Sequence, residues 1–71
     1  MTTKLGNTLR RCRFEHNEMS QEELANHIGV TRQTIYSIEK GKFTPSTLLA
    51  LKLSRLFNKP VEELFIILDE L

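Results

Sequence analysis

The chain has 71 residues, a formal net charge of +1 and a single cysteine. That length suits one small domain near the lower limit for folding without staples, and one thiol excludes an intrachain disulfide or a cysteine-built zinc cluster, as fits a reducing cytoplasm. No apolar run approaches the roughly 20 residues of a membrane span and MTTKLGNTLRR lacks a signal-peptide core, so a cytoplasmic, membrane-free protein is expected.

Thr2–Leu5 can be extended, and a first helix is predicted from about Asn7 to His16. Leu9, Cys12 and Arg13 fall on its inner face, with Arg10 and Arg11 outward. Cys12 reads as a small buried hydrophobe. Asn17 suits the left-handed residue that ends this helix, and Met19 suits the core. Ser20 and Glu23 form an S-x-x-E capping box, so a second helix starts there. Leu24, Ala25 and Ile28 recur at helical spacing on one face of it, and Gly29 stops it. Val30 plugs the turn, Thr31 can cap a third helix, and Gly41 ends that helix. Ile35 and Ile38 mark its buried face. At about 100° per residue the opposite face carries Gln33, Tyr36, Ser37 and Lys40, with Arg32 at the exposed N-terminal end. Such a face suits the major groove of DNA: arginine pairs with guanine, glutamine with adenine, and lysine meets phosphate.

In KFTPST, Pro45 cannot continue a helix, and Thr44 or Ser46 can cap the next. Phe43 is either a lid over the helix pair, the preferred reading, or a residue flanking the sugar-phosphate backbone. A fourth helix is predicted from about Thr47 to Phe57, with Leu49, Ala50, Leu53, Leu56 and Phe57 as its core stripe. Leu48 and Leu51 lie beyond that stripe. Asn58 caps its end, and Pro60 opens a short fifth helix with Val61, Leu64 and Phe65 inward. The tail FIILDEL is unusually apolar. As a strand it would put Ile66 and Leu68 on one side and Phe65 and Ile67 on the other, and could pair with Thr2–Leu5. As a continued helix it would align Leu64, Ile67, Leu68 and Leu71. Its β-branched and aromatic content favours the strand. A run of four apolar residues cannot all face one small core, so Leu48, Leu51, Phe65, Ile66, Ile67 and Leu68 are expected to form a dimer interface.

Residues 1–43 carry a net +2 and residues 44–71 a net −1, so the basic side is the side of the second and third helices. His16 and His27 share no spacing with further ligands, and no metal or other cofactor is expected. No nucleophile–base set or phosphate-cradling glycine loop stands out, so the chain does not read as an enzyme.

The stretch S-Q-E-E-L-A-x-x-I-G-V-T-R-Q-T-I-x-x-I-E-K-G-K, followed by P-S, resembles the helix-turn-helix of Cro- and phage-repressor-type regulators, the xenobiotic-response-element-like family. The resemblance runs to Phe65. It implies an all-α, five-helix, lambda-repressor-like domain over residues 1–71, with or without a short terminal β-strand pair. The helix-turn-helix would span 20–41 and the dimerisation region 48–71. It implies DNA base contacts from Thr31, Arg32, Gln33, Tyr36 and Ser37, phosphate contacts from Gln21, Lys40 and Lys42, and an ion pair between Arg13 and Glu39. The expected function is that of a homodimeric transcriptional regulator, a repressor, on a palindromic double-stranded operator and without a small-molecule effector. The rival reading is a protein–protein module of antitoxin type, with secondary DNA binding.

Overall fold

Apolar residues at helical spacing, set off by caps and left-handed stops, divide residues 4–68, the part that the computed structural model describes, into five helices between two strands. In order these are β1 (Leu5–Asn7), α1 (Leu9–Glu15), α2 (Gln21–Ile28), α3 (Arg32–Glu39), α4 (Thr47–Phe57), α5 (Val61–Leu64) and β2 (Phe65–Ile67).

Ser20, Thr31 and Ser46 each accept a hydrogen bond from the backbone N–H three residues on, satisfying one orphan donor of α2, α3 and α4. Ser46, not Thr44, is the cap of α4. Gly29, at φ 78°, ends α2, and Asn58, at φ 55°, ends α4. Asn17 is left-handed as expected, and so is Glu18; the pair is held by Glu18 N–H on Phe14 O at 3.1 Å and Met19 N–H on Arg13 O at 2.8 Å.

Every helix contributes to one buried cluster, which includes Leu9, Leu24, Ile35, Ile38, Leu53 and Leu64, each almost without solvent contact. Burying such aliphatic side chains is worth roughly 1.5–3 kcal/mol each, the largest favourable contribution in a chain this short. Cys12 is buried in the cluster, and Val30, Leu56 and Phe65 pack against it from partly open positions. His16, on the surface, meets the Phe57 ring edge-on at 5.7 Å.

Three expectations need correction. The first helix starts at Leu9 and not at Asn7, because Asn7 pairs with Phe65 in an antiparallel ribbon whose other pairs are Leu5 with Ile67 and Gly6 with Ile66. Thr8 then ties the ribbon to α5, donating its N–H to Leu64 O at 3.0 Å and its hydroxyl to Glu63 O at 2.7 Å. The tail does pair with Leu5, and Leu68 N–H donates to Lys4 O, but the partner strand continues through Gly6 to Asn7 beyond the expected Thr2–Leu5; Thr2 and Thr3, like Leu71, lie outside the described residues. Phe43 is no lid: it is 50% exposed.

The described part of the tail is a strand at Phe65–Ile67, not a continued helix. The Leu68 side chain lies across Gly6, where a Cβ would stand only 2.8–3.0 Å from it, and Gly6 pairs with Ile66, so Ile66 and Leu68 share one face of the ribbon. Phe65 turns toward the core, beside Leu5.

Candidate nucleic-acid interface

The geometry of the α2–α3 pair follows from its turn. The capping box is closed in both directions: Glu23 N–H donates to Ser20 Oγ at 3.0 Å, and Ser20 N–H donates to Glu23 Oε1 at 2.8 Å. At the other end of α2, the N–H groups of Gly29 and Val30 both donate to Ala25 O. A left-handed residue is needed there, which glycine adopts without strain. Val30 then points into the core, and Thr31 accepts from Thr34 N–H at 3.2 Å to start α3.

With Ile35 and Ile38 buried, α3 must turn Arg32, Gln33, Tyr36, Ser37 and Lys40 away from the core. Thr31, Arg32, Gln33 and Lys40 are exposed, whereas Tyr36 and Ser37 are half-buried on the flanks. The helix thus stands as a ridge between two grooves. One, of about 440 Å³, is bounded by Arg10, Gln21, Arg32, Tyr36 and Lys40, with the Arg13–Glu39 pair in its lining. The other, of about 260 Å³, is bounded by Gln33, Thr34, Ser37, Lys42 and Phe43. Lys40 Nζ lies 5.7 Å over the Tyr36 ring, which holds the ammonium at the rim of the first groove.

The C-terminus of α3 ends in a Schellman motif: Gly41, at φ 76°, donates its N–H to Ile38 O, and Lys42 donates its N–H to Ser37 O. Lys42 is therefore fixed to the last turn of α3 by backbone bonds, not carried on a loose loop.

Arg13 and Glu39 form the expected pair. Nε donates to Oε2 at 2.6 Å and Nη2 to Oε1 at 3.0 Å, with the two side chains only 14% and 9% exposed. Arg13 also donates to Met19 O at 2.9 Å. Gln21 donates its amide to Glu39 Oε1 at 3.1 Å, so one of the donors assigned to phosphate is engaged within the protein.

One residue of this face, and one that supports it from β1, were not predicted. Arg10 reads in the sequence only as outward, yet it borders the same groove as Arg32 and Lys40; its position three residues before Arg13 carries the signal, since such pairs are neighbours on a helix. Asn7 donates from Nδ2 to Ile38 O at 3.0 Å, at the end of α3, a contact across 31 residues that leaves no local trace.

The apolar residues assigned to dimerisation lie on α4 and β2. Leu48, Leu51, Ile66, Ile67 and Leu68 are all well exposed, Ile67 by 69%. Phe65 is partly taken up by the core and shares with Leu5, Pro45, Ala50, Leu51 and Val61 an open groove of about 360 Å³. Among the described residues no three His, Cys, Asp or Glu side chains gather as a metal site would require, and no helix is long and apolar enough to cross a membrane.

A family model described as helix-turn-helix matches residues 9–64, from the first residue of α1 to the last of α5, and leaves both strands outside. A protein of Archaeoglobus fulgidus, called an uncharacterized HTH-type transcriptional regulator, is 56% identical over 52 residues, which cover 73% of this chain and 74% of that one. One of the same description from Methanocaldococcus jannaschii is 47% identical over 64 residues, 90% of this chain and 96% of its own length. Another, from Bacillus subtilis, is 47% identical over 60 residues, 84% of this chain and 86% of that one.

Proposed function

The chain belongs to the helix-turn-helix family of Cro- and phage-repressor-type transcriptional regulators, with a lambda-repressor-like fold, and from that premise we propose that it is a repressor that binds a palindromic double-stranded operator as a homodimer in the cytoplasm. The observation that carries this is the ridge of α3. Arg32 and Gln33 project from its N-terminal turn, Tyr36 and Ser37 from its flanks, and Lys40 and Lys42 extend from its far end. Base edges are then met by Arg32, Gln33, Tyr36 and Ser37, with Thr31 on a thymine methyl or a phosphate. Phosphates are met by Lys40, Lys42 and the N-terminal end of α2 at Gln21. Selecting bound duplexes from a random DNA pool tests the proposal. A single enriched consensus with two-fold symmetry is expected, and a pool that stays unenriched overturns it.

Gln33 and Lys42 divide the two kinds of contact. Gln33→Ala should weaken binding to the selected duplex by about 1–3 kcal/mol and relax preference at one base pair, as measured by competition binding. Equal weakening on every duplex would move Gln33 to a phosphate. Each neutralised phosphate contributes about 0.9 to the slope of log affinity against log salt, so Lys42→Ala should flatten that slope by roughly 1 and leave base preference unchanged. An unaltered slope with altered preference would reverse the assignment.

The antitoxin-type alternative draws on the apolar patch of α4 and β2. It permits stoichiometric capture of a different protein without sequence-selective DNA binding by the isolated chain, with DNA touched only secondarily.

A further inference from the structure

Asn7 lies on none of the surfaces assigned to DNA, yet its side chain is fully committed. Oδ1 accepts from Leu9 N–H at 3.1 Å, and Nδ2 donates to Ile38 O at 3.0 Å and toward Glu39 O at 3.4 Å. Ile38 O already accepts the Gly41 N–H of the Schellman turn, so Asn7 adds to it a second bond, from another element, that ties the end of α3 to β1. Asn7 is itself fixed, since its backbone pairs with Phe65, which packs on the core. On the opposite side, the Glu39 carboxylate is clamped by Arg13 of α1 and Gln21 of α2. The last turn of α3 is thus held at its carbonyls by β1 and at its carboxylate by α1 and α2. Lys40 and Lys42 leave directly from this turn, and any swing of it displaces Gln33 and Tyr36 along the same rigid helix.

We infer that Asn7 is a positioning residue for DNA recognition, transmitting the placement of the β1–β2 ribbon to the recognition helix α3. The inference rests on the proposed sequence-selective DNA binding. β2 carries the exposed Ile66 and Ile67, so β1 stands between the surface proposed for dimerisation and the helix proposed to read bases. Base-edge hydrogen bonds tolerate little misplacement, whereas phosphate attraction acts over several ångströms. Loosening α3 should therefore lower discrimination before it lowers general affinity.

The test compares the whole chain with Asn7→Asp and Thr8→Val. Asp keeps the acceptor for Leu9 N–H and loses the donor to Ile38 O. Thr8→Val removes a hydrogen bond between the same ribbon and α5 and leaves α3 untouched. Affinity is measured for the duplex that the unaltered chain selects and for a shuffled duplex of equal length. Asn7→Asp should fold by circular dichroism and lower the ratio of the two affinities about fivefold or more, since it removes the donor and sets a carboxylate against Ile38 O and Glu39 O, with shuffled-duplex affinity within about twofold. Thr8→Val should leave the ratio unchanged. An unchanged ratio in Asn7→Asp, an equal fall on both duplexes, the same fall in Thr8→Val, or an unfolded Asn7→Asp chain would each overturn the inference while the unaltered chain still selects its duplex. An unaltered chain that selects none overturns both this inference and the proposed function.

Discussion

Arg13→Met should lower the free energy of unfolding by about 3–5 kcal/mol, while Arg11→Met, two residues earlier on the outer face of the same helix, should change it by no more than about 0.5 kcal/mol. Arg13 spends its guanidinium on three acceptors, two on Glu39 and one on Met19 O. Methionine keeps much of the apolar stem and removes every one of those donors. Glu39, with a side chain 9% exposed, is then a nearly desolvated carboxylate with Gln21 as its remaining side-chain donor. Met19 O loses its donor from Arg13 as well. Stranding a buried charge costs far more than the pair itself contributes, because the desolvation of the survivor is no longer offset. Arg11 is exposed, so its charge stays in water whatever replaces it. A loss of this size is most of the stability of a domain this small. Urea denaturation of both variants measures it. Coincident midpoints would show that the Arg13–Glu39 pair contributes no more than a surface ion pair.

The second large effect concerns assembly. If the chain is the dimer proposed above, Ile67→Asp should convert it into a monomer at micromolar concentration by sedimentation, and should weaken binding to the selected duplex by on the order of 100-fold or more. Binding to a shuffled duplex should fall only a fewfold. Two linked recognition helices bind the second half-site as an intramolecular step, and losing the link forfeits that gain without touching any DNA contact. Two-fold symmetry would place the helices about 34–36 Å apart, one turn of DNA. The net charge of +1 leaves a lone copy little general attraction to phosphate. Ile67 is 69% exposed, so a carboxylate there stays hydrated in the folded chain and acts on the partner surface. A monodisperse unaltered chain at monomer mass that still binds its operator tightly would remove the dimer.

Most of the helical frame was legible because its signals are local. A capping box, a glycine at a left-handed stop and isoleucines three apart act within one or two turns, and α2, α3 and α4 lie where those signals put them. The Arg13–Glu39 pair came from family resemblance, not from spacing. The errors share one cause. Asn7 looks like a helix start by its own propensity, and a strand partner almost sixty residues away overrides that. The contact of Gln21 with Glu39, 18 residues away in sequence, has no local sign either, and it commits one amide donor of a residue still assigned to phosphate. Phe43 borders Ile38 and Phe65 on one side and Gln33, Ser37 and Lys42 on the other, so half of it stays in solvent instead of covering the core. How each side chain of α3 meets DNA rests on the proposed docking, and the sequence carries no mark of which base pairs are read.

The β1–β2 ribbon also sets an order of assembly. Leu68 N–H donates to Lys4 O at 2.8 Å, so the two ends of the described chain are neighbours, and the ribbon closes the longest loop in the fold. Closing a long loop costs more entropy than forming a local helical turn, and contacts of large sequence separation form slowly. The α2–α3 pair, whose contacts are close in sequence, can assemble early, while the ribbon waits for both strands. During synthesis all five helices leave the ribosome before β2 does. A nascent chain can thus hold a formed helix-turn-helix whose α3 still lacks its hold from Asn7 and whose partner surface is incomplete. On the proposed function, selective DNA binding would begin only with a finished ribbon, so a truncated or stalled product would compete poorly for the selected duplex.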